Sequence, residues 1–278
     1  MRKLLSAGFT RLWKSRIFWL ALSCSVLLGL FAVYDQYRML QRIPTLSVAP
    51  EELMFTMMPA MEIVCPILIS MFLGTEYSDG TVRNKLICGH KRGDIYFSNL
   101  IVCTAASVIT QLTLYLVTFL LTLPFSTGST MMAGQIIYIV ACSVLVTVAI
   151  SAICTLVTMS IQKKASGAVC SIILIILLFF GSSYLDSKLR EQELTPMGLV
   201  YYEDGHSEWV EPEPNPLYIS GAKREVLELV FDALPSGQVS DINNLNFERS
   251  ERWPILSLGV TVIVSAAGIY IFKKKDIK

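Results

Sequence analysis

Glu62 is the first residue whose chemistry needs an explanation, because it is the single charged side chain in the apolar stretch from Leu53 to Thr75. An ionised carboxylate near the centre of a bilayer costs about 3 kcal/mol, so it should face protein or water. Glu62 can line a substrate pathway and meet a cationic group, or it can be protonated or hydrogen-bonded between helices. If the apolar span instead begins near Met57, Glu62 lies closer to one interface. Gln111, in the next apolar stretch, is a second and milder candidate for such a pathway.

Enzymatic chemistry finds no support in the rest of the chain. The two histidines, His90 and His206, both lie in polar segments, and neither belongs to a His-Glu-x-x-His pattern. Metalloprotease and serine-protease chemistry within the membrane therefore lack their residues. The phosphate-binding pattern Gly-x-x-x-x-Gly-Lys-Ser/Thr is also absent, and residues 89–93 do not supply it. We expect no catalytic residue, no metal site and no cofactor bound by this chain itself, and nothing indicates nucleic-acid binding.

The composition indicates a membrane protein. Hydrophobic residues make up 53% of the chain and charged residues 16%, whereas soluble domains average about 25% charged residues. A helix needs about 20 mainly apolar residues to cross a bilayer core. The sequence therefore predicts a single all-α integral membrane domain over residues 1–278, with six transmembrane helices. The predicted spans are about 17–34, 54–74, 98–123, 134–159, 166–185 and 254–272.

The distribution of charge in the loops predicts the orientation. If the N-terminus is cytoplasmic, the inner segments contain 15 basic and 4 acidic residues, and the outer segments contain 8 basic and 17 acidic residues. Cytoplasmic loops carry the excess of Lys and Arg, so both termini are predicted to be inside. Residues 75–97 then form an inner loop, and residues 186–252 form a large, acidic outer loop.

Residues 1–16 are predicted to form an amphipathic helix in the inner interface. Leu4, Leu5, Phe9, Leu12 and Trp13 gather on one side of a helical wheel. Such a helix can simply anchor and orient the first span. It can also transmit force from a partner below the membrane, and the pattern does not separate these roles.

The inner loop contains a second short helix with a specific sequence. Ser78 or Asp79 can cap it, Gly89 can end it, and its apolar side would be Val82, Leu86 and Ile87. Its residue pattern is Glu-x-x-x-Gly-Thr from Glu76 to Thr81, then a basic residue with Leu-Ile at 85–87, then Gly-x-x-Arg-x-x-Ile-Tyr at 89–96. This pattern resembles the inner loop of type-2 ABC exporter permeases, where the segment includes the coupling helix that sits on a separate ATPase subunit.

The resemblance extends over nearly the whole chain. The family has an amphipathic helix before the first span, six spans, and its largest outer loop between spans 5 and 6. It often carries Leu-Pro-Ser-Gly-Gln before the last span, matched at 234–238, and a basic tail, matched at 272–276. Glu62 is a departure, because it matches no family pattern.

The resemblance implies a permease subunit of a bacterial plasma-membrane ABC transporter, working outward by alternating access. The implied partners are an ABC ATPase subunit that binds ATP and Mg²⁺, a second permease subunit, identical or related, and membrane lipid. Glu76, Gly80 and Thr81 match the family pattern directly, and Arg83 and Lys85 are the predicted polar contacts to the ATPase. The alternative for both basic residues is that they bind anionic headgroups or set topology.

The outer loop combines an acidic character with a predicted helix. Residues 211–216 are proline-rich and extended, and residues 222–234 read as a helix that dips into the outer leaflet or caps the exit. Tyr201, Tyr202, Trp209 and Tyr218 are predicted either to pack within the loop or to anchor it at the interface. Its net negative charge would attract cationic peptides, although outer loops are often acidic for other reasons.

Two questions stay open at the level of sequence. An ATP-independent secondary transporter or channel is the alternative class, and it would need no ATPase partner. The acidic loop and Glu62 favour a cationic peptide or drug as substrate, so export of antimicrobial peptides is the working hypothesis.

Overall fold

The structure is a computed structural model that describes residues 1–43, 45–194, 198–201, 207–210 and 214–275. Within these residues the chain is almost entirely helical. The elements are α1 (Arg2–Lys14), α2 (Arg16–Arg42), α3 (Pro50–Thr56), α4 (Pro59–Ser78), α5 (Thr81–Ile87), α6 (Arg92–Thr122), α7 (Ala133–Ile161), α8 (Lys164–Leu189), β1 (Gly198–Tyr201), β2 (Ser207–Val210), α9 (Ala222–Ala233), α10 (Pro235–Asn243) and α11 (Trp253–Lys274). Single 3-10 turns follow α6 and precede α11.

Six helices in the described residues are long and apolar enough to cross a membrane. They are α2, α4, α6, α7, α8 and α11, and they correspond in order to the six predicted spans. The predicted helical membrane architecture is thus confirmed, with the addition of the antiparallel β1–β2 hairpin in the loop between α8 and α11. The predicted orientation stays a prediction.

Span 2 begins later than predicted. The apolar stretch is divided into α3 and α4, and Pro59 occupies the first turn of α4 instead of kinking a longer helix. Proline suits this position because its missing N–H is one that a helix start leaves unpaired. Glu62 consequently lies in the first turn of α4 and not near the middle of the span, as the alternative register had proposed.

The bundle has two chemically different ends. One end, here called the basic end, carries α1, α5 and the C-terminal turn of α11. Arg11 joins α1 to α4 there, and Arg92 joins α6 to the end of α11. The other, the acidic end, carries α3, the turn at 126–132, α9 and α10.

Glu51, part of an acidic pair without any predicted role, joins α3 to the turn at 126–132. Its Oε1 accepts hydrogen bonds from Ser129 Oγ (2.7 Å) and the backbone N–H of Thr130 (2.6 Å). Burial raises the pKa of Glu51, but these hydrogen bonds outweigh it and the net pKa is lowered.

Polar contacts hold the spans together where apolar burial drives little association, since lipid is as apolar as the side chains. Ser70 Oγ on α4 lies 3.0 Å from Thr158 Oγ1 on α7, and Thr158 Oγ1 lies 3.4 Å from Ser171 Oγ on α8. One turn further towards the basic end, Gly74 lets α4 and α8 meet: a Cβ there would lie 2.7 Å from Lys164 Cα. These contacts fix α4, α7 and α8 to one another.

The outer-loop helix leaves most of its apolar side exposed. The predicted helix is present as α9, but its apolar residues Val226, Leu229 and Val230 are exposed, whereas Phe231 and Asp232 are buried. The residues Leu234 to Gln238 lead into α10, which packs against α8 and α7. The exposed apolar side favours the predicted dip into the membrane layer.

A charged network ties α9 and α10 to the start of α11. Arg249 donates to Asp232 Oδ1 (3.1 Å) and to Asp241 Oδ2 (3.3 Å), and Gln238 Oε1 accepts a hydrogen bond from Ser257 Oγ (2.7 Å). Burial raises the pKa of Asp241 to about 6, and Arg249 offsets this only in part.

Some residues discussed from the sequence lie outside the described part of the chain. They are the predicted anchor Tyr202, His206, residues 211–213, residues 276–278 and the side chains of Tyr201 and Trp209.

The orientation can be tested with cysteine labelling. Cys88 is exposed at the basic end and Glu248 is exposed at the acidic end. In a variant that keeps only Cys88, a membrane-impermeant maleimide added to intact cells should label nothing until the membrane is opened. A variant with Glu248→Cys as its single cysteine should react at once. The reverse pattern would show that the basic end is outside.

Candidate functional site

Two glycines set the limits of the short helix α5 at the basic end. Gly80 has φ +66° and precedes Thr81, the first residue of α5, while Gly89 has φ +81° and follows its end. This left-handed conformation is strained for residues with a side chain and free for glycine. The predicted cap by Ser78 or Asp79 is wrong, because Gly80 occupies the N-cap position and Ser78 Oγ bonds to Thr75 O instead.

Glu76 lies at the centre of the basic end, where its carboxylate is only 1% exposed. Lys85 Nζ of α5 donates to Glu76 Oε1 (2.9 Å), and Asn99 Nδ2 of α6 donates to Glu76 Oε2 (2.7 Å). The guanidinium of Arg11, on α1, forms an ion pair with the same carboxylate. Four helices therefore meet at one buried negative charge. We call this set, Arg11, Glu76, Lys85 and Asn99, the Glu76 hub.

Additional contacts make the hub rigid. Lys85 Nζ also donates to Asn99 Oδ1 (3.2 Å), so lysine, asparagine and carboxylate close a triangle. Arg11 Nη2 donates to Phe72 O (2.9 Å) and to Thr75 Oγ1 (2.6 Å), and the guanidinium lies 4.7 Å above the Phe72 ring. Charge-assisted bonds are about twice as strong as neutral ones, and here they lie in a region of low dielectric.

Burial changes the ionisation of the hub's cations. Burial and the neighbouring Arg11 guanidinium lower the pKa of Lys85 to about 8. Burial likewise lowers the pKa of Arg11. The Lys85 ammonium therefore remains mostly protonated at neutral pH, which its contact with Glu76 requires.

The predicted coupling residues occupy different places around this hub. Glu76 and Lys85 are brought together inside it, Gly80 and Thr81 form the start of α5, and Arg83 is exposed on its outer side. Lys85, predicted to contact a partner, is directed inward, and its side chain is only 12% exposed.

Sequence reasoning missed Arg11 and Asn99 as members of the hub. Neither residue had an assigned role, although Arg11 belongs to the polar side of the interfacial helix predicted over residues 1–16. A signal was present, because a carboxylate at the end of an apolar span requires a cation or donors, and Asn99 is a polar residue near the start of another span. The pairing of Arg11 with Glu76 could not be predicted from the sequence, because 65 residues separate them along the chain.

The outer side of α5 forms an open surface with one exposed apolar residue. Val82 is buried and Leu86 is partly buried, as expected for the inward side, but Ile87 is 73% exposed. Arg83, Asn84 and Cys88 are exposed on the same short helix and turn. An isoleucine beside an arginine gives a small surface suited to protein contact, because interfaces place an apolar contact within a polar rim.

Glu62 lines a cavity in the half of the bundle near the acidic end. The cavity has a volume of about 420 Å³ and lies between α4 and α8, with Ile63, Ile175 and Phe179 among its lining residues. Glu62 is 4% exposed, and its Oε1 accepts no hydrogen bond from any residue that the structure describes. A single carboxylate in an apolar wall can bind a group that combines positive charge with apolar surface.

Gln111 lies elsewhere, in the contact between α6 and α7. Its Nε2 donates to Ser143 Oγ (3.0 Å) and to Met58 Sδ (3.4 Å), and the side chain is fully buried. It is not among the residues that line the Glu62 cavity. The structure thus separates the two residues that the sequence placed on one pathway.

Comparison with known proteins identifies a protein family that matches this chain. A family model described as "ABC-2 family transporter protein" matches residues 4–182, which is more than half of the chain and includes most of α1, all of α2 to α7 and most of α8. The matched region contains the Glu76 hub and the Glu62 cavity. No curated protein sequence matches the chain.

Removing the central carboxylate tests the hub. Glu76→Ala would leave Arg11 and Lys85 partly buried without their counter-charge, and the free energy of unfolding should fall by about 3 kcal/mol. Asp79→Ala, which removes an exposed acid three residues away, should change it by less than about 0.5 kcal/mol. Denaturant unfolding in mild detergent measures both.

A double-mutant cycle separates the free energy contributed by the contact between Glu76 and Lys85 from the effect that each substitution has on local packing. Combining Glu76→Ala with Lys85→Met should cost less than the sum of the two single changes, because the second change removes a charge that the first left unpaired. Strict additivity, or equal effects of Glu76→Ala and Asp79→Ala, would contradict the role assigned to Glu76.

Proposed function

Because this chain belongs to the ABC-2 family of transporter proteins, we propose that it exports its substrate by alternating access, driven by a separate ATPase subunit. The chain is a multi-pass membrane permease of that family. The proposed ATPase binds ATP and Mg²⁺ and docks on α5 at the basic end. The proposed location is a bacterial plasma membrane, with the basic end in the cytoplasm.

The observation that carries this proposal is the Glu76 hub. A force applied to α5 acts through Lys85 on Glu76, and hence on α4, on α6 through Asn99, and on α1 through Arg11. A helix attached only by its two loop ends would instead yield locally. Both spans and the interfacial helix would therefore move with α5.

The energy for the conformational change of the permease must come from a difference in ATP affinity between two states of the ATPase. ATP can shift the permease only if it binds one state of the docked ATPase more tightly than the other, because a ligand with equal affinity for two states shifts nothing. The hub would supply the mechanical link between that difference and the tilt of α4 and α6.

The proposed docking surface consists of Arg83, Asn84 and Ile87 on the outer side of α5. Arg83 would supply charge-assisted hydrogen bonds and Ile87 an apolar contact, whereas Lys85 would act inside the permease. This division of roles refines the expectation that Arg83 and Lys85 both touch the ATPase. Gly80 and Thr81 would hold the helix at its angle to α4.

The proposed substrate class follows from the Glu62 cavity. Its wall is formed by isoleucine and phenylalanine side chains with a single carboxylate, a composition suited to an amphipathic cation such as a membrane-active peptide or a hydrophobic cationic drug. Bringing such a cation to Glu62 would give the buried carboxylate a partner. Export of such molecules would protect the cell that makes or meets them.

A second permease subunit would complete the path. The face of α8 near this cavity exposes apolar side chains, among them Ile173, Leu177 and Phe180. We propose that an identical or related permease faces this side of α4 and α8. An ATP-independent carrier or channel is the alternative, and failure to recover an ATPase under any gentle extraction would favour it.

Reversing the exposed charge on α5 tests ATPase docking. Arg83→Glu should lower the amount of ATPase that co-purifies with the tagged chain by at least about tenfold, since like-charge contacts at an interface cost several kcal/mol. It should leave the thermal stability of the permease unchanged. The readout is quantitative mass spectrometry of the co-purified proteins.

Two further variants make this test specific. Lys14→Glu reverses an exposed charge on another helix of the basic end and should retain the ATPase. Lys85→Glu should lower thermal stability before it affects docking, because it places two carboxylates in the hub. Loss of the ATPase with Lys14→Glu but not with Arg83→Glu would place the docking surface elsewhere.

Neutralising Glu62 tests the substrate class. Glu62→Gln should lower ATP-driven transport of tetraphenylphosphonium into inside-out vesicles by about tenfold, because a bond to a charged group contributes about 1.5 kcal/mol or more. Glu62→Asp should retain most transport, and Asp35→Asn, an exposed acid on α2, should retain all of it. Unchanged transport with Glu62→Gln would remove the cation hypothesis without affecting the evidence for ATPase docking.

A further inference from the structure

A second concave site lies on the opposite side of α6 from the hub. The groove between α6 and α11 has a volume of about 670 Å³ and is lined by Phe97, Ile101 and Ala105 of α6, Ala266 and Ile269 of α11, and Val148 of α7. Short side chains on both helices keep it open. We call it the α6–α11 groove.

The length of this groove is close to the depth of one membrane leaflet. Its lining on α6 extends from Phe97 to Val108, a rise of about 16 Å at 1.5 Å per residue. Half of a hydrocarbon core of about 30 Å is nearly the same depth. The groove therefore runs from the basic end of the bundle to about the middle of the bilayer.

The mouth of the groove, at the basic end, is positively charged. Lys273 continues the groove face of α11, and its side chain lies over Gly93: a Cβ at Gly93 would be 3.6 Å from Lys273 Cε. Across residues 91–94 and 273–275, five basic residues outnumber a single acid, Asp94. The ammonium of Lys274, in contrast, is directed to the hydroxyl and ring of Tyr270.

The mouth is held in place by Arg92. Its Nη1 donates to the carbonyl oxygens of Phe272 (3.4 Å), Lys273 (3.2 Å) and Lys275 at the end of α11. This bond set fixes the C-terminus of α11 beside the N-terminus of α6. Lys273 is thus positioned at the groove and not on a free tail.

We propose that the α6–α11 groove binds one anionic phospholipid from the leaflet at the basic end. An acyl chain lies in the apolar groove, and the phosphate of the headgroup contacts Lys273 at the mouth. Apolar depth and basic mouth together fit this ligand, since basic pockets between transmembrane helices bind anionic headgroups. The site shares no residue with the Glu76 hub or the Glu62 cavity, so it does not depend on the proposed function.

Lipid titration of the purified full-length chain tests the proposal. Phosphatidylglycerol and phosphatidylcholine with identical oleoyl chains are added in mild detergent, and bound lipid is counted by native mass spectrometry. We expect one retained phosphatidylglycerol, bound about fivefold more tightly than phosphatidylcholine, which is the contribution of one basic residue at a membrane surface.

Matched variants distinguish specific lipid binding in the groove from general attraction of anionic lipids to the basic end. Lys273→Glu should remove the preference for phosphatidylglycerol, whereas Lys274→Glu, with the same charge change one residue away, should keep it. Ala266→Trp should fill the groove and prevent retention of either lipid, and Ala267→Trp, exposed but outside the groove, should not. Equal affinity for the two lipids, or equal effects within either variant pair, would overturn the proposal.

Discussion

The buried carboxylate of Glu76 is the constraint on which the basic end of this permease depends. A negative charge that is 1% exposed must be balanced, because an unpaired buried charge costs several kcal/mol. Arg11, Lys85 and Asn99 supply that balance from three other helices. Each of these helices is therefore held where its donor can reach the carboxylate, and α5 cannot shift without disturbing α1, α4 and α6.

The contacts between spans follow the same principle on a smaller scale. In lipid, helices gain little by burying apolar side chains against one another, so small residues and hydroxyl pairs carry the specificity. Ser70, Thr158 and Ser171 join α4, α7 and α8, and Gly74 permits the close approach of α4 to Lys164. The acidic end uses longer polar side chains, with Arg249 between two aspartates and Gln238 against Ser257.

One helix connects the proposed coupling region and the proposed substrate cavity. Glu76 and Glu62 both lie on α4, fourteen residues apart, which corresponds to about 21 Å along the helix axis. A tilt of α4 produced at the hub would move the wall of the Glu62 cavity directly. Glu62 lies in the first turn of α4 and not at mid-span, so nearly the whole length of this helix separates it from Glu76.

The sequence by itself determined the six spans, the amphipathic α1 and a short inner-loop helix that ends at Gly89, because these depend on the length of apolar runs and on local backbone freedom. It also indicated the family, through a loop pattern that the family match supports. Only the tertiary structure decided that Lys85 faces inward, that Arg11 and Asn99 share Glu76, and that Gln111 is separate from the Glu62 cavity. The physical reason is that these facts depend on how helices distant in sequence are rotated and where they contact one another. A shift of one helical turn would change the contact partners of each side chain. The start of span 2 shows the same limit, since hydropathy alone did not distinguish the short α3 from the helix that follows it.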